Sequence, residues 1–273
     1  MMAKSHRPRK RFGQNFLQDP HIIEKIVTSI HPNPDDRMLE IGPGLGAITK
    51  LLLEGVEDLS VIEIDRDLAS QLKLTFNHAK NLKVFTEDIL KFDLHTLNHE
   101  QPNPQKFRIV GNLPYNISTP LIFHLLKFSN LIQDMHFMLQ KEVVDRLEAT
   151  PNHKDYGRLS IMSQYYCKAD RLFNIGPEAF YPRPKVQSAF VRLVPYQTLP
   201  HPVTNHKLLQ DITRTAFNQR RKTLLNALKP YLKQEDFVRL NIDPILRPEA
   251  LSLADFAKIC HYLESEKNLG DDV

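Results

Sequence analysis

At 273 residues the chain can hold one large domain or a large and a small one, and its 41% hydrophobic and 25% charged residues are ordinary for a globular protein. Its two cysteines, Cys167 and Cys260, lie far apart in no metal-ligand spacing, which argues against a disulfide framework or a structural zinc and fits a reducing cytosol. The net charge is +4, no apolar run approaches the ~20 residues that span a membrane, and the basic N-terminus runs into RKRFGQNFLQDP instead of an apolar core, so a cytoplasmic protein with no membrane partner is expected.

Asp19-Pro20 opens the first helix with a capping side chain and a first-turn proline, and Ile22, Ile23, Ile26, Val27 and Ile30 recur at helical spacing. Short apolar strands follow at 37–41, 59–64, 82–85, 107–110 and 135–139, with helical patterns at 46–54, 65–76, 118–128 and 141–148. Such alternation means crossover units, hence a parallel sheet with helices on both faces. After a loop, strands are expected at 171–175 and 187–194. Pro195, Pro200 and Pro202 then mark a polar linker, and helices are expected at 205–217, 219–229, 234–240 and 250–265. The organisation is a doubly wound α/β domain over residues 1–198 and a small all-helical domain over 199–273.

Charge is uneven along this plan. Residues 1–11 carry five cations (Lys4, Arg7, Arg9, Lys10, Arg11) and no acid. Arg183 and Lys185 lie between Arg171 and Arg192 with Glu178 the only acid, and Arg214, Arg220, Arg221, Lys222, Lys229 and Lys233 lie between Asp211 and Glu235 with none. One such segment is commonly a solvated face. Three point to a polyanion whose phosphates they neutralise.

Two loops carry the chemistry. Three of nine glycines fall within five residues, in Glu40-Ile41-Gly42-Pro43-Gly44-Leu45-Gly46, after the first strand and at the head of a helix, where bare backbone approaches a ligand. Glu63 follows Gly42 by 21 residues, placed to accept from both hydroxyls of a ribose, and Asp88 follows the third strand, placed for an adenine amine. A glycine loop with an acid about 20 residues on serves a nicotinamide dinucleotide as well as S-adenosylmethionine. Asp88 leans towards the second, and the loop alone does not decide.

The second loop is Gly111-Asn112-Leu113-Pro114-Tyr115, at the carboxyl edge of the fourth strand, where doubly wound folds bind ligands. An Asn-containing turn at a strand end is common. The motif also suits methyl transfer to an exocyclic amine. Adenine's amino nitrogen is a poor nucleophile because its lone pair is delocalised into the ring. Accepting hydrogen bonds from both its N–H groups draws it towards tetrahedral geometry. The Asn112 side-chain oxygen and the Leu113 carbonyl, restricted by Pro114, supply two acceptors, and Tyr115 offers a face for stacking the base.

Asn112-Leu113-Pro114-Tyr115 resembles the catalytic motif of N6-adenine methyltransferases, and Leu at its second position is similar to the RNA-acting branch. EIGPGLG, Glu63 and Asp88 are similar to that family's S-adenosylmethionine motifs. With RFGQNFL (11–17), YGRLS (156–160), AFYPRPKVQSAFVRL (179–193) and FNQRRKTLLNAL (217–228), the chain resembles, almost end to end, the ribosomal RNA adenine dimethylases of the KsgA type. The resemblance implies a Rossmann-like class I methyltransferase sheet with a C-terminal helical RNA-binding domain. It implies S-adenosylmethionine as methyl donor, no metal, and 16S rRNA of the small subunit or its precursor as partner, dimethylated at two adjacent loop adenines near the 3′ end. It further implies catalytic roles for Asn112, Leu113, Pro114, Tyr115 and Phe180, the last as a second stacking wall opposite Tyr115. Asn15, Leu17, Gly42, Glu63, Asp88 and Asn112 would bind the cofactor, and the protein would act as a monomer. A DNA methylase, a dehydrogenase and an RNA-binding assembly factor without chemistry are the competing readings.

Overall fold

The computed structural model describes residues 8, 9, 12–98 and 105–270, with side chains to residue 265. The chain divides into two compact units, residues 1–144 with 168–195 and residues 145–167 with 196–273. The first is the sheet unit. Its strands are β1 (Phe16–Leu17), β2 (Arg37–Ile41), β3 (Asp58–Ile62), β4 (Leu82–Phe85), β5 (Phe107–Asn112), β6 (Ile132–Gln140), β7 (Cys167–Ile175), β8 (Phe180–Tyr181) and β9 (Ser188–Pro195). Seven of them form one sheet in the order β4-β3-β2-β5-β6-β9-β7, and β1 pairs with β8 alone.

The central strands are buried along almost their whole length, as strands covered on both faces must be. β2, β3, β4, β5 and β6 are parallel, and β9 runs antiparallel to β6. From β2 the chain builds outward one way through β3 and β4; from β5 it builds the other way through β6. The order therefore reverses between β2 and β5, which opens a crevice at their carboxyl ends.

Helix α1 (Pro20–Ile30) leads into β2, and α2 (Ala47–Gly55), α3 (Arg66–Thr75) and α4 (Ser118–Leu126) make crossovers between parallel strands of this unit. Asp19 caps α1 through its side chain, which accepts from the His21 and Ile22 N–H groups, as the Asp-Pro pair predicts. A core of Leu17, Ile26, Met38, Leu52, Val61, Val110 and Phe190 joins α1 and α2 to the sheet. At the amino end of the sheet a buried guanidinium fastens α1. Arg108 donates to both Asp134 oxygens (3.0 and 3.1 Å) and to the carbonyls of Ile30 (2.7 Å) and His31 (3.1 Å). The next face-mate on β6, His136, is 1% exposed, and burial pushes its imidazole down to about 4.

The second unit is helical: α6 (Arg158–Tyr166), α7 (His206–Asn218), α8 (Leu224–Ala227), α9 (Gln234–Arg239) and α10 (Leu253–Gly270), reached through α5 (Lys141–Glu148). The Tyr156 hydroxyl donates to the Leu251 carbonyl at 2.9 Å, and Phe217 packs on Phe256. The division is discontinuous, because 145–167 go with the helices and the chain then returns to the sheet at β7. The sequence reading draws one division at 198. Helix α6 is absent from that reading because residues 159–163 and 165 are all buried, leaving no polar stripe to mark a helical period. The helix expected at 219–229 is reduced to α8, since the Leu224 and Leu225 N–H groups donate to Leu246 and Pro244 and not to the preceding turn.

Candidate active site

Strand register lines the sequence motifs up along one edge of the crevice. Ile41 of β2 lies opposite Gly111 of β5 and Ile62 of β3, and Ile62 lies opposite Phe85 of β4. The residues that follow therefore emerge side by side, Glu63 next to Gly42 and Gly42 next to Asn112, with Asp88 three residues beyond Phe85. All four line a solvent-open cavity, together with Asn15, Leu17, Leu113, Pro114 and Tyr115.

Two glycines make the crevice possible. Gly42 has φ +66°, a left-handed conformation that lets the chain turn out of β2 at once. At Gly111 the constraint is proximity. A Cβ there would lie 2.7 Å from the Ile41 carbonyl oxygen, so any side chain would push β5 away from β2 and carry Asn112 with it.

Each polar group has a definite geometry. The Asn112 amide nitrogen donates to the backbone carbonyl of Asn15 at 2.7 Å. A carbonyl only accepts, so the nitrogen faces Asn15 and Oδ1 is left to accept from elsewhere. The Leu113 N–H donates to Met138 at 3.2 Å, and among the described residues no donor reaches the Leu113 carbonyl. The Pro114 carbonyl closes the turn, accepting from Ile117 N–H and the Ser118 hydroxyl, both at 3.1 Å. Glu63 is 5% exposed, and its two oxygens accept from the N–H groups of Gly44 (3.1 Å) and Asp65 (2.9 Å). Burial raises its pKa, the two N–H donors opposing the rise, and each oxygen keeps a second lone pair for a ligand hydroxyl. Asp88 accepts from the Leu90 N–H at 3.0 Å through one oxygen.

Two groups of this site, Glu40 and Ser188, were given no role by the sequence. Glu40 lines the cavity at 2% exposure, accepts from the Thr49 hydroxyl at 2.6 Å, and is pushed up to about 7 by burial, with Glu63 adding to the rise. Its place just before the glycine loop was the available signal. Ser188, the first residue of β9, hydrogen-bonds the Tyr115 hydroxyl at 2.8 Å. Burial holds the Tyr115 phenol above its ordinary pKa, so it stays neutral near neutrality. Gln14 reaches Asp65 at 3.2 Å, and Arg9 pairs with Asp65 at 2.8 Å and with Asp67.

Phe180 is not brought to the cavity. It is 4% exposed and packs in the core with Leu17, Ile26 and Ile175, because β8 turns its first residue inward and its second outward. The basic segments are also partly committed elsewhere. Arg192 pairs with Asp134 (3.1 Å), Arg214 with Asp211 (2.7 Å) and Arg220 with Glu249 (3.2 Å). Lys4, Arg7, Lys10 and Arg11 lie outside the described residues. Arg221, Lys222, Lys229 and Lys233 are exposed.

A parallel sheet with a glycine turn after its first crossover strand, acids at the next two strand ends and an amide-bearing loop across the switch point defines a nucleoside-cofactor methyltransferase. Residues 5–265 match the family described as ribosomal RNA adenine dimethylase, and the chain belongs to that family. It is 55% identical over 264 residues to ribosomal RNA small subunit methyltransferase A of Pseudomonas syringae pv. tomato, covering 97% of each chain. It is 55% identical over 258 residues to the protein of the same name from Pseudomonas aeruginosa, covering 94% of this chain and 95% of that one. Among solved structures it resembles a dimethyladenosine transferase from Plasmodium falciparum, with TM-score 0.78 and 26% identity over 92% of this chain and 98% of that one. The 23S rRNA methyltransferase ErmE shares the fold, with TM-score 0.68 and 22% identity over 92% of this chain and all of the other. As a member of this family the protein is an rRNA adenine dimethyltransferase that uses S-adenosylmethionine, which excludes a dehydrogenase. No described helix is long and apolar enough to cross a membrane.

Proposed function

We propose that the protein dimethylates N6 of two adjacent adenines in a loop near the 3′ end of 16S rRNA, acting as a monomer in the cytoplasm during small-subunit assembly. The observation that carries the adenine chemistry is the orientation of Asn112. With its nitrogen occupied by Asn15, its oxygen and the Leu113 carbonyl are two acceptors on adjacent residues, beside the Tyr115 ring. The small-subunit target is supported by the 55% identity to relatives named for that subunit.

The residues present fit the cofactor. Glu63 keeps two lone pairs for the ribose hydroxyls, Asp88 has an oxygen for the adenine amine, and the Gly42 turn admits the chain's close approach. Asn15 and Leu17 wall the methionine end. Bound S-adenosylmethionine supplies an electrophilic methyl group on a sulfonium. Asn112 Oδ1 and the Leu113 carbonyl accept from the target amine and turn its lone pair towards the methyl carbon. With the donor held by Glu63, Asp88 and the Gly42 turn, the amine aligned by Asn112 and Leu113 would take the methyl group, the sulfonium leaving as a neutral thioether, and would give its proton to water. Pro114 fixes the backbone that aims the Leu113 carbonyl. Alignment supplies most of the rate, with a ceiling of roughly 7–11 kcal/mol. With Phe180 in the core, stacking falls to Tyr115, worth roughly 1–3 kcal/mol. Extruding the adenine costs a few kcal/mol, less in a loop.

The test uses small subunits from a strain lacking this protein, incubated with the protein and methyl-labelled S-adenosylmethionine and digested to nucleosides for mass spectrometry. Dimethyladenosine at two adjacent loop adenines is expected. Transfer only to large-subunit RNA would overturn the assignment.

Two predictions belong to the same geometry. Ser188 positions Tyr115 through one hydroxyl, so Ser188→Ala should raise the KM for subunits by about tenfold, as a lost hydrogen bond of roughly 1.4 kcal/mol requires. Cofactor affinity should not change, and adding Tyr115→Phe should cost nothing more. Additive effects would show that the two hydroxyls act independently. Glu40 predicts proton linkage. Its carboxyl titrates near 7 in the free protein, and a cationic ligand nearby favours the ionised form, so binding S-adenosylmethionine should release a proton between about pH 6 and 7. Affinity should accordingly rise from pH 6 to pH 8. Calorimetry in two buffers of different ionisation heat at pH 6.5 reads that proton directly; equal heats would remove Glu40 from the binding site.

A further inference from the structure

The segment Tyr181–Ser188 is fastened to the cavity at both ends. Tyr181 pairs through its backbone with Phe16, which lines the cavity, and Ser188 bonds the hydroxyl of Tyr115. Between these anchors every residue except Pro184 is exposed. The Tyr181 side chain is 57% exposed, while its neighbour Phe180 is 4% exposed and fills the core. The strand pairing needs only the Tyr181 backbone, so the ladder itself does not require its ring. Tyr181 has no ring partner among the described residues. Lys185 has no ionic partner among them, and Arg183 has only a 3.8 Å contact to Glu178 with both side chains about two-thirds exposed. Pro182 and Pro184 stiffen the backbone that displays these groups. An exposed aromatic at an anchored end, followed by two cations, is a platform for an unpaired base and its phosphates.

We propose that this rim binds the single-stranded RNA beside the target adenine. The Tyr181 ring stacks on a flanking base, and Arg183 and Lys185 neutralise the phosphates next to it. The inference deepens the methyl-transfer reading and rests on it. Its consequence is a division of labour: Tyr115 holds the reacting base while Tyr181 holds its neighbour. The rim thereby restrains the strand as it is shifted to bring the second adenine into the same pocket.

The experiment compares wild type, Tyr181→Ala, Tyr181→Phe and the Arg183→Ala/Lys185→Ala double variant. Methyl transfer to unmethylated small subunits is followed across a salt series, with direct binding of a fluorescent rRNA fragment carrying the methylated loop. Tyr181→Ala should raise KM by about tenfold, within the roughly 5–150-fold that stacking on one base spans. It should weaken fragment binding alongside, and lower kcat far less. Tyr181→Phe should restore both. The double variant should lower the slope of log KM against log salt by about 1–2, which Tyr181→Ala should leave alone. Calorimetric cofactor affinity should be the same in all four. Wild-type KM in both Tyr181→Ala and the double variant would overturn the rim while leaving the methyltransferase reading intact. Tyr181→Phe as impaired as Tyr181→Ala would overturn stacking. Loss of subunit binding with unchanged fragment binding would assign the rim to a ribosomal protein instead. A wild-type protein that transfers no methyl to rRNA would overturn both readings.

Discussion

Replacing Asn112 with Ala is expected to reduce methyl transfer by roughly a thousandfold or more, about 4 kcal/mol, while cofactor affinity stays within about tenfold. The asymmetry follows from where the two ends of the side-chain amide point. Nδ2 donates to Asn15 at 2.7 Å, a partly buried contact whose loss leaves one carbonyl without a donor, about 1–3 kcal/mol at most. Oδ1 is one of only two acceptors proposed for the amine. Without it the nitrogen keeps its conjugated, planar form and its lone pair is not aimed. Asp should not rescue, because an ionised carboxylate has no N–H for the Asn15 carbonyl and would face it with like charge. The experiment is single-turnover transfer beside calorimetric titration of S-adenosylmethionine. Cofactor binding lost outright in Asn112→Ala would make the residue a cofactor holder and leave the amine's alignment to the backbone alone.

How much of this site could be read in the sequence depends on how local each feature is. The strands β2 to β5 announce themselves because each is a short apolar run bounded by turn residues, and the motifs that matter begin at their carboxyl ends. Parallel register then forces Asp88, Glu63, Gly42 and Asn112 into one row without any long-range information beyond strand order. Ser188 is a different case. It meets Tyr115 across 73 residues of chain, and its place is set by the antiparallel pairing of β9 with β6, with Ser188 opposite Gln140. No local pattern carries that. Phe180 is another case: its neighbours in sequence suggest a site wall, and strand alternation turns its side chain into the core. Arg9 looks like a free cation in a basic run, yet it pairs with two acids at the head of α3, more than fifty residues on. Charge counts along a chain overstate the phosphate-binding surface by however many cations the fold pairs internally.

Asp134→Ala should be the most damaging single change to the sheet unit outside the site, at about 3–5 kcal/mol. Asp134 is fully buried and accepts from Arg108 through both oxygens and from Arg192 through one. Removing it strands the Arg108 guanidinium, itself 6% exposed, with Asp36 as its remaining acid. Through the Ile30 and His31 carbonyls that guanidinium also holds the end of α1 against the sheet. Arg192→Ala, at a side chain 44% exposed, should cost under about 1 kcal/mol, which separates loss of the acid from loss of any one ion pair. The damage should deepen in acid. His136 sits 3.7 Å from Asp134, buried, with its pKa pushed down from 6.5 to about 4 by burial, against the pull of the Asp134 charge. A folded pKa below the unfolded one means the unfolded chain takes up the proton first. Stability therefore falls as pH drops below about 6.5 and levels off below about 4. Taking Asp134 away removes the one charge that raises His136, lowers its folded pKa further and extends that fall to lower pH. Hydrogen exchange of the β5 and β6 amides at pH 3.5, below the folded His136 pKa of about 4, and at pH 7.5 reads the effect within the sheet unit, where a whole-chain melting temperature would mix two units. Protection in Asp134→Ala equal to wild type at both pH values would show that Asp36 alone suffices to hold Arg108.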